Sequence, residues 1–350
     1  MPDQMKKIVI ERPGGYRRLT VREIQAPTPG ENEVLVEVSA AGVNFADVVI
    51  RLGLYKSARE FVGWPITPGF EFSGKVSACG PGVSDLAAGA PVFGVTRFGA
   101  YASHVSVPRG QVYPISASSK FTSDQWAAFP TVFLTAYHGL FQQFIVRAGM
   151  RILVHSAAGG VGGALLQLGK IAGCEMIGVV GSGHKVKTAL EFGADRVIDK
   201  SRENLWTTAR EICRDGFDVV FDGNGPSTLR QSYRHLAPTG KLVAYGFHSF
   251  FSKRGGSLNY IKLIFQYLRL PRWNPLDMTN DNKSIISFNL SYLFHRRDLL
   301  QEAMEHLVGW VEEGKIRPAP LQRFPLEKVA DAHRALESGT TVGKIILKPS

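Results

Sequence analysis

Arg151-Ile152-Leu153-Val154-His155-Ser156-Ala157-Ala158-Gly159-Gly160-Val161-Gly162-Gly163 is a short apolar run that leads straight into a turn of small residues. A helical pattern follows from Ala164 to Ala172, and a second apolar run, Glu175 to Val180, ends in Gly181-Ser182-Gly183-His184-Lys185. Strand, glycine turn, helix and second strand in this order form the unit that binds a dinucleotide. The glycines let backbone approach a pyrophosphate, and the free N–H groups of the helix start face its charge. Ala158, Gly159, Gly160, Val161 and Gly162 are therefore the candidate pyrophosphate-binding residues.

Outward from this unit the alternation continues. The pattern predicts strand 151–156, helix 160–172, strand 175–180, helix 183–192, strand 196–199, helix 203–213, strand 217–222, helix 226–236 and strand 241–246. Crossovers this short imply right-handed βαβ units in a doubly wound parallel sheet. Asn224 and Gly225 follow the fourth strand, and Gly246 and Phe247 follow the fifth, at the carboxyl edge where ligands bind.

Before this region, residues 1 to about 125 read as many short strands punctuated by Pro13-Gly14-Gly15 and Pro27-Thr28-Pro29-Gly30, a compact β-rich domain. Asn44 to Arg51 is a short helical interruption with a loop to Tyr55, and the texture turns helical at Ser123, a candidate cap. Beyond 248 the rhythm breaks. Ile261, Ile264, Phe265 and Leu268 share one helical face, with Lys262, Gln266 and Arg269 away from it, inside a segment bracketed by Gly255-Gly256, Pro271 and Pro275. Ser284 to Leu293 reads as a strand, 299–313 and 329–338 as helices, and Val342 to Leu347 as a closing strand. The expected division is 1–125 plus 294–350 for the β-rich domain and 126–293 for the inserted Rossmann-type domain, with 249–283 as a variable insertion.

A chain of 350 residues, 44% hydrophobic and 20% charged, is long enough for two domains with sizeable cores. No apolar run is long enough to span a bilayer, and Met1 to Lys7 lacks the apolar stretch of a secretory signal. Cys79, Cys174 and Cys213 stand far apart, without zinc-ligand spacing, and read as free thiols in a reducing, cytoplasmic compartment. The net charge of +11 is dispersed along the chain, which argues against a nucleic-acid arm. Basic and aromatic residues mix in 249–275, a texture that also suits peripheral contact with a membrane. His104, His138 and His155 show no Ser or Asp partner at useful spacing and are read as core or surface histidines.

The second strand's end bears on the cofactor. An NAD site places a carboxylate there for the ribose 2′-hydroxyl. Here the residues are Ser182 and Lys185, a hydroxyl and a cation, which suit a 2′-phosphate. The expected cofactor is NADPH, the alternative for Lys185 being a solvated helix-start lysine.

Several segments together resemble the zinc-free quinone oxidoreductases of the medium-chain dehydrogenase/reductase superfamily. They are Gly42-Val43-Asn44-Phe45-Ala46-Asp47, Pro68-Gly69-Phe70-Glu71-Phe72-Ser73-Gly74, Gly99-Ala100-Tyr101, Thr135-Ala136-Tyr137, the glycine turn and Val342-Gly343-Lys344. Ser287-Phe288-Asn289-Leu290-Ser291-Tyr292-Leu293 resembles the vesicle amine transport protein-like branch, while Leu270–Asp281 departs from it. The resemblance implies a GroES-like catalytic domain plus a Rossmann domain, the cofactor in the cleft between them, and homodimers paired through the Rossmann sheets. It implies that Asn44 contacts the nicotinamide ribose or the substrate, although Asn also favours helix N-caps. Tyr55 would face the substrate and donate a proton to a carbonyl oxygen, or else sit exposed in a loop. The tyrosine that relatives often carry six residues earlier is Val49 here. Thr135 would orient the carboxamide, or merely cap a helix, and Phe288, Asn289 and Leu290 would flank the nicotinamide. Lys344 either closes the cofactor site or is a surface lysine at a strand edge.

In zinc-dependent relatives the segment at Gly69-Phe70-Glu71 carries a His ligand, and here the residue is Phe70. Without a Lewis acid an alcohol oxygen is hard to activate, whereas an electrophilic acceptor needs less help. The expectation is metal-independent hydride transfer from NADPH to a quinone or an α,β-unsaturated carbonyl. The alternative is an NADPH-binding protein with a lipid or membrane role and little turnover.

Overall fold

The computed structural model describes residues 4–250 and 259–349. Gly255-Gly256 and the basic and aromatic residues Phe251, Lys253 and Arg254 lie outside the described residues. The first half runs β1 (Gln4–Val9), β2 (Thr20–Gln25), β3 (Glu33–Val43), α1 (Phe45–Arg51), α2 (Lys56–Phe61), β4 (Glu71–Cys79), β5 (Pro91–Val95), β6 (His104–Pro108) and β7 (Val112–Pro114). Two helices, α3 (Ser123–Ala127) and α4 (Pro130–Tyr137), lead to β8 (Arg151–His155), α5 (Gly160–Ile171), β9 (Glu175–Val180), α6 (Val186–Glu191), β10 (Arg196–Asp199), α7 (Leu205–Ile212), β11 (Phe217–Asp222), α8 (Leu229–Arg234) and β12 (Leu236–Ala244). The tail holds α9 (Tyr260–Leu268), α10 (Pro275–Asp281), β13 (Ser284–Ser287), α11 (Arg297–Glu312), β14 (Leu321–Pro325), α12 (Val329–Ser338) and β15 (Lys344–Lys348).

These elements build an α/β protein with two main sheets. Strands β10-β9-β8-β11-β12-β13 form a parallel, Rossmann-type sheet, and β8 at its centre hands the chain to the glycine turn. Strands β14-β15-β3-β4-β5-β7 form the GroES-like sheet, with β6 also paired to β3. The last strand returns to the first domain because β15 pairs antiparallel with β3, Ile346 opposite Gly42. One apolar core joins Phe93 and Trp126 to Val154 and, through α11, to Leu307, so the proposed boundaries at 125/126 and 293/294 cut through continuous packing. Phe93 and Trp126 stack there at 4.2 Å between ring centroids. A buried ion pair ties α1 to α12: Arg51 donates to both Glu337 oxygens at 2.9 and 3.0 Å.

Three local expectations need correction. Thr122, not Ser123, caps α3: its hydroxyl accepts from the Gln125 N–H, and the Gln125 side chain accepts from the Thr122 N–H at 2.8 Å. This is a reciprocal capping box. Helix α8 starts at Leu229, not 226, because the Asp222 carboxylate first collects the N–H groups of Asn224 and Gly225 and the Thr228 hydroxyl. The strand expected over 284–293 stops at Ser287. Asn289 accepts from the Ser291 N–H at 2.9 Å and starts a 3-10 turn over Leu290–His295. The Leu270–Asp281 segment, which departs from the resemblance, holds α10, with Leu270, Trp273 and Met278 packed against the core under the parallel sheet.

Candidate active site

The cleft between the sheets has a volume of about 980 Å³. One end is the glycine turn. Glycine is required there by close approach: a Cβ on Gly162 would collide with the Ser156 carbonyl oxygen, and one on Gly160 would press on Val132 and Lys344. Gly159, the N-cap of α5, has no side chain to satisfy the helix start, so the N–H groups of the first turn of α5, on residues that line the cleft, are left for an anion. Ala158, Val161, Lys185 and Lys200 line the same end. The uncapped helix, the glycine cradle and two lysines fit a polyanionic dinucleotide. Lys185 is half-buried rather than freely solvated, and its ammonium donates to the Gly339 carbonyl at 2.6 Å, at the C-terminus of α12. Ser182 does not line the cleft; its hydroxyl bonds His184 Nδ1 at 3.2 Å.

The floor between the two ends is a buried charged network. Lys344, 4% exposed, donates to the Glu71 carboxylate at 2.7 Å, to the Asn44 Oδ1 at 2.7 Å and to the Val43 carbonyl at 3.0 Å. Asn44 donates its amide to Glu71 at 2.8 Å, and the other Glu71 oxygen accepts from the Thr131 N–H at 2.8 Å. The surface-lysine alternative for Lys344 is thereby overturned, and sequence reading missed Glu71 altogether. Asn44 does stand at the N-cap of α1, yet its side chain is committed to this network, while its own N–H donates to Asp47 at 2.8 Å.

Asp47 is fully buried and also accepts from the Gly69 N–H and the Tyr101 hydroxyl, each at 2.9 Å. Burial lifts its pKa from 3.8 to about 7, against the pull of these donors and of Lys344. A folded value above the unfolded one gives stability that is complete at acid pH and lost as pH rises through the folded pKa. The unfolding free-energy gap between wild type and Asp47→Asn should therefore narrow from pH 5 to pH 8 in urea titrations. A gap independent of pH would show that the carboxyl is not raised.

The acceptor end gathers around Tyr55. This residue is not an exposed loop tyrosine: it is the half-buried N-cap residue of α2, and its hydroxyl bonds Asn289 Oδ1 at 2.9 Å and Ser291 Oγ at 2.8 Å. Burial raises its pKa, so the phenol keeps its proton at neutral pH. Phe70 packs edge-on to Tyr55, with ring centroids 5.9 Å apart. Thr135 lines the cleft from the middle of α4, donating to the Thr131 carbonyl at 2.6 Å. It is not at a helix start, which removes the capping alternative. Asn224, Gly246, Phe247, Phe288, Asn289 and Leu290 all line the cleft. So do Tyr245, His248 and Lys200, which no motif in the chain marks out.

His155 lies beneath the cleft, fully buried, with Ser232 Oγ at 3.1 Å and the Asp222 carboxylate at 3.8 Å. The expectation that it lacks Ser and Asp partners is corrected: folding brings Asp222 from 67 residues away and Ser232 from 77. Ser232 donates to Asp222 at 2.7 Å, so its proton points away from His155, and the cluster is structural. Among the described residues no three His, Cys, Asp or Glu side chains gather as a metal-ligand set, and no described helix is long and apolar enough to cross a membrane.

Residues 30–117 match the alcohol dehydrogenase GroES-like domain model, and residues 192–347 match the zinc-binding dehydrogenase model. The synaptic vesicle membrane protein VAT-1 homolog of Rattus norvegicus is 32% identical over 347 residues, covering 99% of this chain and 84% of that protein. The chain belongs to the medium-chain dehydrogenase/reductase superfamily. Among solved structures of the superfamily, Escherichia coli quinone oxidoreductase complexed with NADPH aligns at a TM-score of 0.84 and 29% identity, covering 98% of this chain and 100% of that one. CurK enoyl reductase aligns at 0.83 and 27%, covering 99% and 100%. The GroES-like and Rossmann-type pairing expected from the sequence is the superfamily's fold, found here across the chain's full described length.

Proposed function

We propose that this protein is a zinc-independent, NADPH-dependent oxidoreductase that reduces quinones or α,β-unsaturated carbonyls. The observation that carries the reading is the cleft itself: a lysine-lined glycine cradle at one end and a proton-bearing tyrosine, held by Asn289 and Ser291, at the other. The NADPH complex of the aligned quinone oxidoreductase supports the cofactor, and the enoyl reductase supports an activated double bond as acceptor. When bound, NADPH supplies a hydride.

The chain's own residues do the rest. The α5 N-terminus and the glycines hold the pyrophosphate, and Lys185 faces the 2′-phosphate. Asn44, fixed by Glu71 and Lys344, positions the ribose or the acceptor without rotating, since both ends of its amide are occupied. Phe70 occupies the segment where zinc-dependent relatives carry a ligand, and makes that wall apolar. The Tyr55 hydroxyl donates to Asn289 Oδ1 and, with an acceptor bound, would turn that proton to the oxygen on which charge builds, Ser291 Oγ keeping the phenol in place.

Steady-state NADPH oxidation in the presence of a quinone tests the reading, and a rate no higher than the quinone-free one overturns it. Tyr55→Phe should lower kcat by about 100-fold with little change in NADPH affinity, the low end for loss of a general acid. A kcat within twofold of wild type would assign the proton to water instead.

A further inference from the structure

Arg97 is half-buried, yet it makes no ion pair among the described residues and does not line the cleft. Taking a guanidinium out of water without a carboxylate is costly, and burial pulls its pKa below the usual value. Its contacts show what it does instead. The guanidinium carbon lies 3.9 Å from the centroid of the Phe61 ring, a cation–π contact, and 5.5 Å from that of Phe294. Its Nε donates to the Ser291 carbonyl at 3.3 Å. Phe61 ends α2, the helix whose N-cap residue is Tyr55, and the Ser291 hydroxyl bonds that tyrosine's phenol. Arg97 therefore joins the helix that follows Tyr55 to the turn that holds it. A second link runs beside it: the Tyr292 hydroxyl donates to Glu60 at 2.6 Å, and the Tyr292 and Phe61 rings lie 5.6 Å apart. The arginine is itself fixed from β5. The Thr96 N–H donates to the Phe70 carbonyl at 2.8 Å, and Phe98 packs on Phe70 with ring centroids 5.5 Å apart. Its loop is thus tied to the ring against which Tyr55 packs.

We infer that Arg97 is a positioning residue for the proton donor: by clasping the Phe61 ring and the Ser291 carbonyl, it keeps Ser291 Oγ in reach of the Tyr55 phenol. This rests on Tyr55 as the general acid of the proposed reaction. With Tyr55 donating to Asn289, the Ser291 hydroxyl is the donor in its 2.8 Å bond to the phenol oxygen. That bond strengthens as the phenol gives up its proton and becomes a phenolate. Hydrogen bonds between oxygens have a narrow range of lengths, so Ser291 contributes only while its backbone stays in place. Asn289 holds that backbone at its N–H, and Arg97 holds it at its carbonyl.

Steady-state kinetics in two backgrounds tests this. Arg97→Met removes the cation and the donor but keeps an unbranched stem. It should lower quinone kcat about 10-fold and leave NADPH affinity unchanged, since small misplacements of a catalytic group cost rate by such factors. In the Tyr55→Phe background, which has no phenol to place, the same substitution should change kcat by less than about twofold. Phe61→Leu removes only the ring beneath the guanidinium, at an exposed position, and should repeat the pattern with a smaller loss. An equal loss in both backgrounds, or none in either, overturns the inference, because an arginine that merely supports the fold acts whether or not residue 55 carries a hydroxyl. The placement is also read without turnover, by fluorine NMR of protein labelled with 3-fluorotyrosine, in which Tyr55→Phe identifies the resonance of residue 55. Displacement of that resonance by Arg97→Met supports the clasp even if no quinone is reduced, an outcome that would sink the proposed reaction alone. A resonance that Arg97→Met leaves in place overturns the clasp.

Discussion

Lys344→Met should destabilise the protein by about 3–5 kcal/mol, the usual result of removing one partner from a buried ion pair. Lys344 and Glu71 are 4% and 0% exposed, and the ammonium is the only cation hydrogen-bonded to that carboxylate among the described residues. Without it Glu71 keeps the Asn44 amide and the Thr131 N–H as donors, but its charge sits uncompensated in the interior. The aliphatic stem matters as well, because it packs at the place a Gly160 side chain would take. Urea unfolding of the single variant and of Lys344→Met/Glu71→Gln separates the two effects. The double variant should recover part of the loss, since the stranded charge is gone. A single-variant cost below about 1 kcal/mol, the range of surface pairs, would mean that the pair is not buried in solution.

The second large effect concerns the cofactor. Lys185→Glu should reverse the preference for NADPH over NADH, with the ratio of dissociation constants moving by about 100-fold. A charge-assisted hydrogen bond to phosphate is worth about 1.5–3 kcal/mol, and the substitution adds repulsion to its loss. The side chain is well placed: it lines the cleft beside the strand that ends at Val180, and one of its three N–H donors is already anchored on Gly339. That anchor also places the cation at a helix C-terminus, where it is favoured. Fluorescence titration with both nucleotides checks this. An unchanged preference would remove Lys185 from the phosphate site, and equal wild-type affinities would remove the 2′-phosphate argument itself.

What could be read in the chain followed from local physics. Strands β9, β10 and β11 and helix α12 are bounded as the apolar periodicity and glycine punctuation predict, because each boundary is set by residues adjacent in sequence. Ser284 to Leu293 misled for the same reason. Its composition suits a strand throughout, and only the side chain of Asn289, turned to the Ser291 N–H, shows that the strand has ended. Of the charged floor of the cleft, the resemblance named Asn44 and Lys344 one by one, but not that Glu71 joins them, because Lys344 lies 273 residues from Glu71 and 300 from Asn44 and Glu71 alone is an ordinary polar residue near an apolar run. Arg51 and Glu337, and His155 with Ser232 and Asp222, were hidden likewise. The amphipathic pattern of α9 could be seen, but not that part of its apolar surface opens onto the cleft, since periodicity gives a face and no neighbour.

In the proposed reaction a charge-lined cradle and a tyrosine-bearing end work together on an acceptor that is already electrophilic. The most direct test is NADPH oxidation by the chelator-treated protein against matched quinones, enones and saturated aldehydes. The structure predicts turnover with quinones or enones, unaffected by chelation, and none above background with the saturated aldehydes. Turnover confined to the aldehydes, or abolished by the chelator and restored by zinc, would contradict it.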